Sequence, residues 1–132
     1  MSWTVQEVRE LKEGRYMIID DEPCKILSIS KSKPGKHGEA KARIEATGIF
    51  DGQKRTIVHP VKHKIQVPII DKRNAQIVAV MGNEVQLMDL EDYSTFNVPI
   101  PEEFSSELEA GRNVDYFIAL DRKKITAVRK AD

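Results

Sequence analysis

The sequence predicts an all-β protein made of two small barrels in tandem, and three observations lead there. Short runs of strand-like composition, punctuated by turn residues, fill nearly the whole chain, and none is long enough for a convincing helix. Near the middle, Val67-Pro68-Ile69-Ile70-Asp71-Lys72-Arg73-Asn74 holds a proline that cannot donate to a sheet ladder and that pushes its neighbour toward extended geometry. The sign of the charge changes at the same place: residues 1–70 carry 13 Lys+Arg against 9 Asp+Glu, net +4, and residues 71–132 carry 8 against 12, net −4.

The elements follow in order. Tyr16-Met17-Ile18-Ile19 reads as a strand ending in the turn Asp20-Asp21-Glu22-Pro23. Cys24 to Ser30 is strand-like but ambiguous, because Cys24 and Ile26 favour one face while Leu27 and Ile29 favour the other. Ala40 to Ala46 alternates cleanly, with apolar residues at even positions and charges between them. Arg55–His59 and Lys64–Val67 are two further short runs. After the proline-containing connector, strands resume at Gln76–Met81 and turn at Gly82-Asn83 into Glu84–Leu90, and Tyr93–Val98 follows. Pro99-Ile100-Pro101 stops pairing, Glu102–Ala110 has the composition of a short helix or helical turn, and Gly111 is a plausible terminator. Arg112–Leu120 and Lys124–Arg129 close the chain as a strand pair. Residues 1–70 suit an SH3-like barrel. Residues 71–132, five strands with a short helical insertion, suit a Greek-key barrel of the oligonucleotide-binding kind, the OB-fold. A continuous edge strand through Pro68 in one larger barrel is the alternative.

Composition narrows function. The 132 residues are 40% hydrophobic and 32% charged with zero net charge, which fits one ordinary domain or two small ones. Cys24 is the single cysteine, so no intrachain disulfide is available, and a buried structural thiol in a reducing cytoplasm is expected. No apolar run reaches the roughly 18 residues that span a bilayer, and the first residues lack the pattern of a signal peptide. His37, His59 and His63 are the only histidines. His59 and His63 stand at i, i+4, a spacing that needs a helix to bring both rings to one metal, and Pro60 lies between them. There is no nucleophile elbow, no phosphate-binding glycine loop and no Cys/His pair with an orienting acid. No catalytic, cofactor-binding or metal-ligating residue is therefore assigned, and no enzyme is expected.

One segment resists an architectural explanation. Lys31 to Arg43, Lys-Ser-Lys-Pro-Gly-Lys-His-Gly-Glu-Ala-Lys-Ala-Arg, carries five cations against Glu39 and accounts for the first half's whole positive excess. Pro34 fixes φ while Gly35 and Gly38 permit positive φ, so together they bracket Lys36-His37 as the tip of a hairpin with legs Cys24–Ser30 and Ala40–Ile49. A solvated turn is the ordinary reading. Five like charges within 13 residues repel one another, however, which costs stability unless an anion is expected there.

Ser32-Lys33-Pro34-Gly35-Lys36-His37-Gly38-Glu39-Ala40-Lys41-Ala42-Arg43 closely resembles the hypusine loop of the translation factor 5A family, in its archaeal form, a relative of bacterial elongation factor P. Asp20-Asp21-Glu22-Pro23-Cys24-Lys25, Val67 to Arg73 and Val85 to Leu90 resemble other stretches of that family, so the likeness covers essentially the whole chain. The resemblance implies that Lys36 receives an aminobutyl group from spermidine through deoxyhypusine synthase, giving deoxyhypusine or, after hydroxylation, hypusine. Lys33, Pro34, Gly35, His37, Gly38 and Lys41 match the positions around that lysine. It further implies a cytoplasmic, non-enzymatic factor that binds the ribosome beside peptidyl-tRNA and helps stalled peptide bonds form, notably at proline runs. The implied fold is again an SH3-like barrel followed by an OB-fold.

Lys31, Lys33, Lys41 and Arg43 are the candidates to hold rRNA or tRNA phosphates, positioning the loop without reading sequence. A monomer with no cofactor and no membrane partner is expected. Two other readings stay open: a two-barrel, ribosome-associated RNA-binding protein with an unmodified basic hairpin, and a small hydrolase or transferase using Cys24 or a histidine. Tyr93, Phe96, Tyr116 and Phe117 are possible stacking residues in the second half, though such aromatics are commonly core.

Overall fold

The computed structural model describes residues 2–32 and 40–129. The chain divides into two compact units, Met1–Ile69 and Ile70–Asp132. Each has its own buried core.

The first unit contains β1 (Trp3–Glu7), β2 (Tyr16–Ile19), β3 (Glu22–Ser32), β4 (Lys41–Gly48), β5 (Lys54–Pro60) and β6 (Lys64–Pro68), with a 3-10 turn at Val8–Glu10. Strands β2-β3-β4-β5 form one antiparallel sheet, and β1 pairs antiparallel with β6 as a separate ribbon. These two curled pieces close over Val8, Leu11, Met17, Ile19, Cys24, Ile26, Ala42, Ile44 and Ala46 as an SH3-like barrel. The predicted alternation in β4 is seen directly: Ala42, Ile44 and Ala46 are fully buried and Lys41 and Arg43 exposed.

The mixed pattern of β3 has a physical cause. Pairing with β4 runs Cys24↔Gly48 and Ile26↔Ala46, then skips Leu27 and resumes at Ser28↔Glu45 and Ile29↔Ile44. Leu27 is the extra residue of a β-bulge, so the inward-facing set changes from even to odd numbers there. Leu27 is left outside, and Ile29 packs against the core. The turn before β3 is tighter than Asp20–Pro23: Ile19 pairs with Glu22, so only Asp20 and Asp21 lie between the strands. Both take positive φ, 51° and 64°, the primed-turn geometry whose steric cost Asp tolerates well.

The second unit contains β7 (Asp71–Met81), β8 (Glu84–Asp89), β9 (Thr95–Pro99), β10 (Asn113–Ala119) and β11 (Arg122–Val128). Their order is β11-β10-β7-β8-β9, and β11 approaches β9 to close the sheet on itself. The first strand thus pairs with the second and the fourth, the Greek-key order of an OB-fold. Ala75, Ile77, Val85, Leu87, Val98, Leu108, Val114, Tyr116 and Ile125 fill the barrel.

The expected helical insertion is present in its shorter form, the connector is shorter than expected, and one strand was not foreseen. The helical insertion is a single 3-10 turn, Glu102–Phe104, followed by further turns; Pro99 and Pro101 precede it, and Gly111 ends the segment at φ +94°. The connector shrinks to Ile69-Ile70, because Asp71–Asn74 is already strand β7 with its partners supplied by β10. Pro68 itself lies buried at the end of β6, opposite Trp3. β1 was not anticipated: its five residues are extended because β6 pairs with them, a cause that local composition does not carry.

Candidate functional site: the basic hairpin and its foot

Strands β3 and β4 pair from Cys24↔Gly48 to Ser32↔Lys41, and the cations of these legs are distributed by strand register. Opposed residues of an antiparallel pair share a face. Ser30, Arg43 and Val58 form one cross-strand row and Ser32, Lys41 and Pro60 another, both on the outer face. Lys31, Ala42 and His59 form a row on the opposite face. Lys31 therefore does not share a surface with Lys41 and Arg43. All three are exposed, and Arg43 donates to Glu45 at 3.0 Å across the same outer face. Lys33, Pro34, Gly35, Lys36, His37 and Gly38 lie outside the described residues.

The foot of the hairpin is clamped. The Val61 amide donates to Ala40 O at 3.0 Å, tying the β5–β6 turn to the start of the returning leg. The same turn is held from the other side: Val8 N donates to His63 O at 2.8 Å and Arg9 N to Val61 O at 2.9 Å. The 3-10 turn supplying those donors is fixed by a reciprocal capping box between Glu7 and Glu10. Backbone bonds of this number leave the legs little freedom at their base.

His59 and His63, set aside as metal ligands, do come together. Their rings stack with centroids 4.6 Å apart and planes within 10°. The turn achieves what a helix would have done, with His63 N donating to Pro60 O. Parallel stacked rings do not aim their nitrogens at one ion, and among the described residues no group of three His, Cys, Asp or Glu is placed to hold a metal. Partial burial, then the charge of His63, hold His59 below the ordinary imidazole value.

The far end of the β4–β5 hairpin is braced by charge. Arg55 donates to both oxygens of Asp51, at 3.2 and 2.8 Å, and Asp51 also accepts from Gln53 N. Gly48 leaves the space for this carboxylate, since a Cβ there would collide with Asp51 Oδ1. Cys24 is buried opposite Gly48, and its thiol is pushed up by desolvation, with Arg55 opposing the shift. A buried thiol of raised pKa is a poor nucleophile.

In the second unit, sequence reasoning missed a buried ionic centre. Asp89 is fully buried and accepts from Arg73 Nε at 2.7 Å and Nη2 at 3.0 Å, from the Tyr116 hydroxyl, and from the amides of Glu91 and Asp92. The Arg73 guanidinium holds the Asp89 carboxyl far below the usual carboxylate range, against the opposing effect of burial. Burial and Asp89 together push the Tyr116 phenol up to about 12. Of the four aromatics considered for stacking, Tyr116 and Phe117 are core residues. Phe96 packs on the core at 5.0 Å from Tyr116, with Lys123 over its ring, and Tyr93 is 69% exposed.

Comparison with known proteins agrees with the architecture. Residues 2–63 match the family model for the N-terminal part of translation initiation factor 5A-like proteins. Translation initiation factor 5A of Thermoplasma acidophilum is 56% identical over 125 residues, covering 95% of this chain and 97% of the relative. That of Archaeoglobus fulgidus is 61% identical over 119 residues, covering 90% and 93%. The solved structure of eukaryotic translation initiation factor 5A from Methanococcus jannaschii superposes with a TM-score of 0.91 at 48% identity, covering 97% of this chain and 96% of that one. Two barrels in this order and identity sustained across both place the chain in the translation initiation factor 5A family.

Proposed function

We propose that this protein is a translation factor that binds the ribosome next to peptidyl-tRNA and promotes peptide-bond formation at stalled sites through a deoxyhypusine or hypusine side chain at Lys36. One observation carries the reading. The Lys33-Pro34-Gly35-Lys36-His37-Gly38 motif of a translation factor 5A family member lies between two strand legs whose foot is clamped by backbone hydrogen bonds.

The chemistry suits such a mount. Alkylating the lysine nitrogen with an aminobutyl group keeps that nitrogen basic and adds a second amine, so the tip gains charge and reach. A thin aliphatic arm with two cations can pass between phosphates where a backbone cannot. The proposed contribution to the reaction is orientation of the tRNA acceptor end. Lys31, Lys33, Lys41 and Arg43 would hold the surrounding rRNA and tRNA phosphates. Deoxyhypusine synthase would be the modifying partner, the cytoplasm the compartment and a monomer the working form. The described helical segments include none long and apolar enough to cross a membrane.

Intact mass and peptide mapping of protein from its native cell test the modification. An aminobutyl mass increment on Lys36 is expected. A native mass equal to the encoded one, or the increment on another lysine, overturns the reading in favour of an unmodified RNA-binding hairpin. Lys36→Arg keeps the charge but offers no acceptor amine, so it should fold normally and fail to relieve ribosomes stalled at proline runs.

A further inference from the structure

The stacked histidines at the hairpin foot have no part in the proposed reaction. His59 is half-buried and covers one face of the His63 ring, whereas His63 is exposed. The turn that carries them is fixed by three backbone bonds to separate elements: to Ala40 on the hairpin leg and to Val8 and Arg9 on the 3-10 turn. Exposed histidine pairs gain little by stacking in water, so a ring pair held this firmly is preorganised to continue onto a third ring. The surroundings are cationic. Lys62 adjoins His63 in the turn, and Lys31 shares a cross-strand row with His59, with Ala42 between them. Burial favours the neutral form of the His59 ring.

We propose that His63 is a stacking platform for an unpaired nucleobase of the RNA around the hairpin, with His59 as its backing ring and the flanking lysines on the adjoining phosphates. Histidine is among the side chains on which splayed RNA bases stack, and cations beside the ring track the backbone. A protein partner would have to bury these lysines, and a metal would need convergent nitrogens that parallel rings do not provide. This inference rests on the reading that the hairpin faces RNA.

The test uses full-length protein carrying the Lys36 modification and an end-labelled oligoadenylate RNA with one 2-aminopurine. Anisotropy reports binding, and 2-aminopurine quenching reports stacking. Wild type and His63→Phe should both bind and quench. His63→Ala should lose the quenching and bind about 5- to 140-fold more weakly, the range for one base–aromatic stack. Undiminished quenching and affinity in His63→Ala overturn the inference while the RNA reading stands. Equal loss in His63→Phe and His63→Ala also overturns it, because packing rather than stacking would then be responsible. If wild type itself fails to bind, the RNA reading falls and the stack with it.

Discussion

The two-faced distribution of the hairpin cations predicts how salt controls RNA affinity. Each phosphate contact contributes about 0.7–0.9 to the slope of log affinity against log salt, the lower figure applying to single strands. Lys41 and Arg43 occupy adjacent rows of the outer face, so Lys41→Gln/Arg43→Gln removes two contacts and about 1.4–1.8 slope units. Lys31 lies on the opposite face, in the row that runs through Ala42 to His59, so Lys31→Gln removes a separate contact and about 0.7–0.9 units. RNA enclosing the hairpin touches both faces independently, and the triple variant should lose about 2.1–2.7 units, the sum of the two effects. Binding to ribosomes is measured from 50 to 300 mM salt by filter retention (on the order of the range over which such slopes develop), with Lys36 modified in every protein. An unchanged slope in the triple variant refutes the electrostatic assignment. A triple loss no larger than the double refutes the two-face geometry. Adding Lys33→Gln should take off one further unit-sized step.

Other predictions concern the frame. Because each unit has its own core, separate chains of residues 1–70 and 71–132 should each give dispersed amide NMR spectra; two collapsed spectra would revive the single-barrel alternative. Asp89→Ala strips a buried ion pair of one partner and should destabilise the second unit by about 3–5 kcal/mol in chemical denaturation. The Asp89 carboxyl is held below its ordinary value of 3.8, so its contribution is complete above roughly pH 4 and is lost as pH falls further; the second unit of Asp89→Asn should show a flatter stability profile below pH 4. Gly48→Ala must displace the Asp51 carboxylate from Arg55, so a lowered melting temperature of the first unit is expected, with the second unit's unfolding unchanged. Cys24 should react with a thiol reagent only as the first unit unfolds, and Cys24→Ala should retain activity, which would dispose of a cysteine-dependent enzyme.

Much of this fold is legible locally. The alternation from Ala40 to Ala46, the two-residue turn at Gly82-Asn83 and the strand blocks of both halves carry their own signals, because burial on one face imposes period two and primed turns demand particular residues. What was not legible depends on distant partners. β1 is extended because of β6, some 60 residues away, and Asp71–Asn74 because of β10. Asp89 gave no sign of lying inside the barrel: a carboxylate in a strand normally faces water, and its burial is made tolerable by Arg73 and Tyr116, on two other strands, together with the amides of Glu91 and Asp92. The histidine pair failed for a related reason. Spacing of four suggested a helix or nothing, whereas a turn anchored at Ala40, Val8 and Arg9 closes the same gap. The loop motif was the reverse case, specific in its residues while its rows of cations needed the register to be told apart.

The bulge at Leu27 makes the aim of the hairpin a matter of odd and even. From Leu27 to Ser32, each residue's side of the ribbon is counted from that one skipped position: Ile29 inward, Ser30 outward, Lys31 inward. Deleting Leu27 would only close the bulge and leave Ser28↔Glu45 and Ile29↔Ile44 in place, whereas adding one residue between Leu27 and Ser28 advances the count by half a period. Ser28 then replaces Ile29 against Ile44 in the core. A two-residue change keeps the phase and alters only length. The described legs thus have two possible settings, and the pairing that resumes after Leu27 holds the one in which Ser30 shares a face with Arg43 and Lys31 with Ala42.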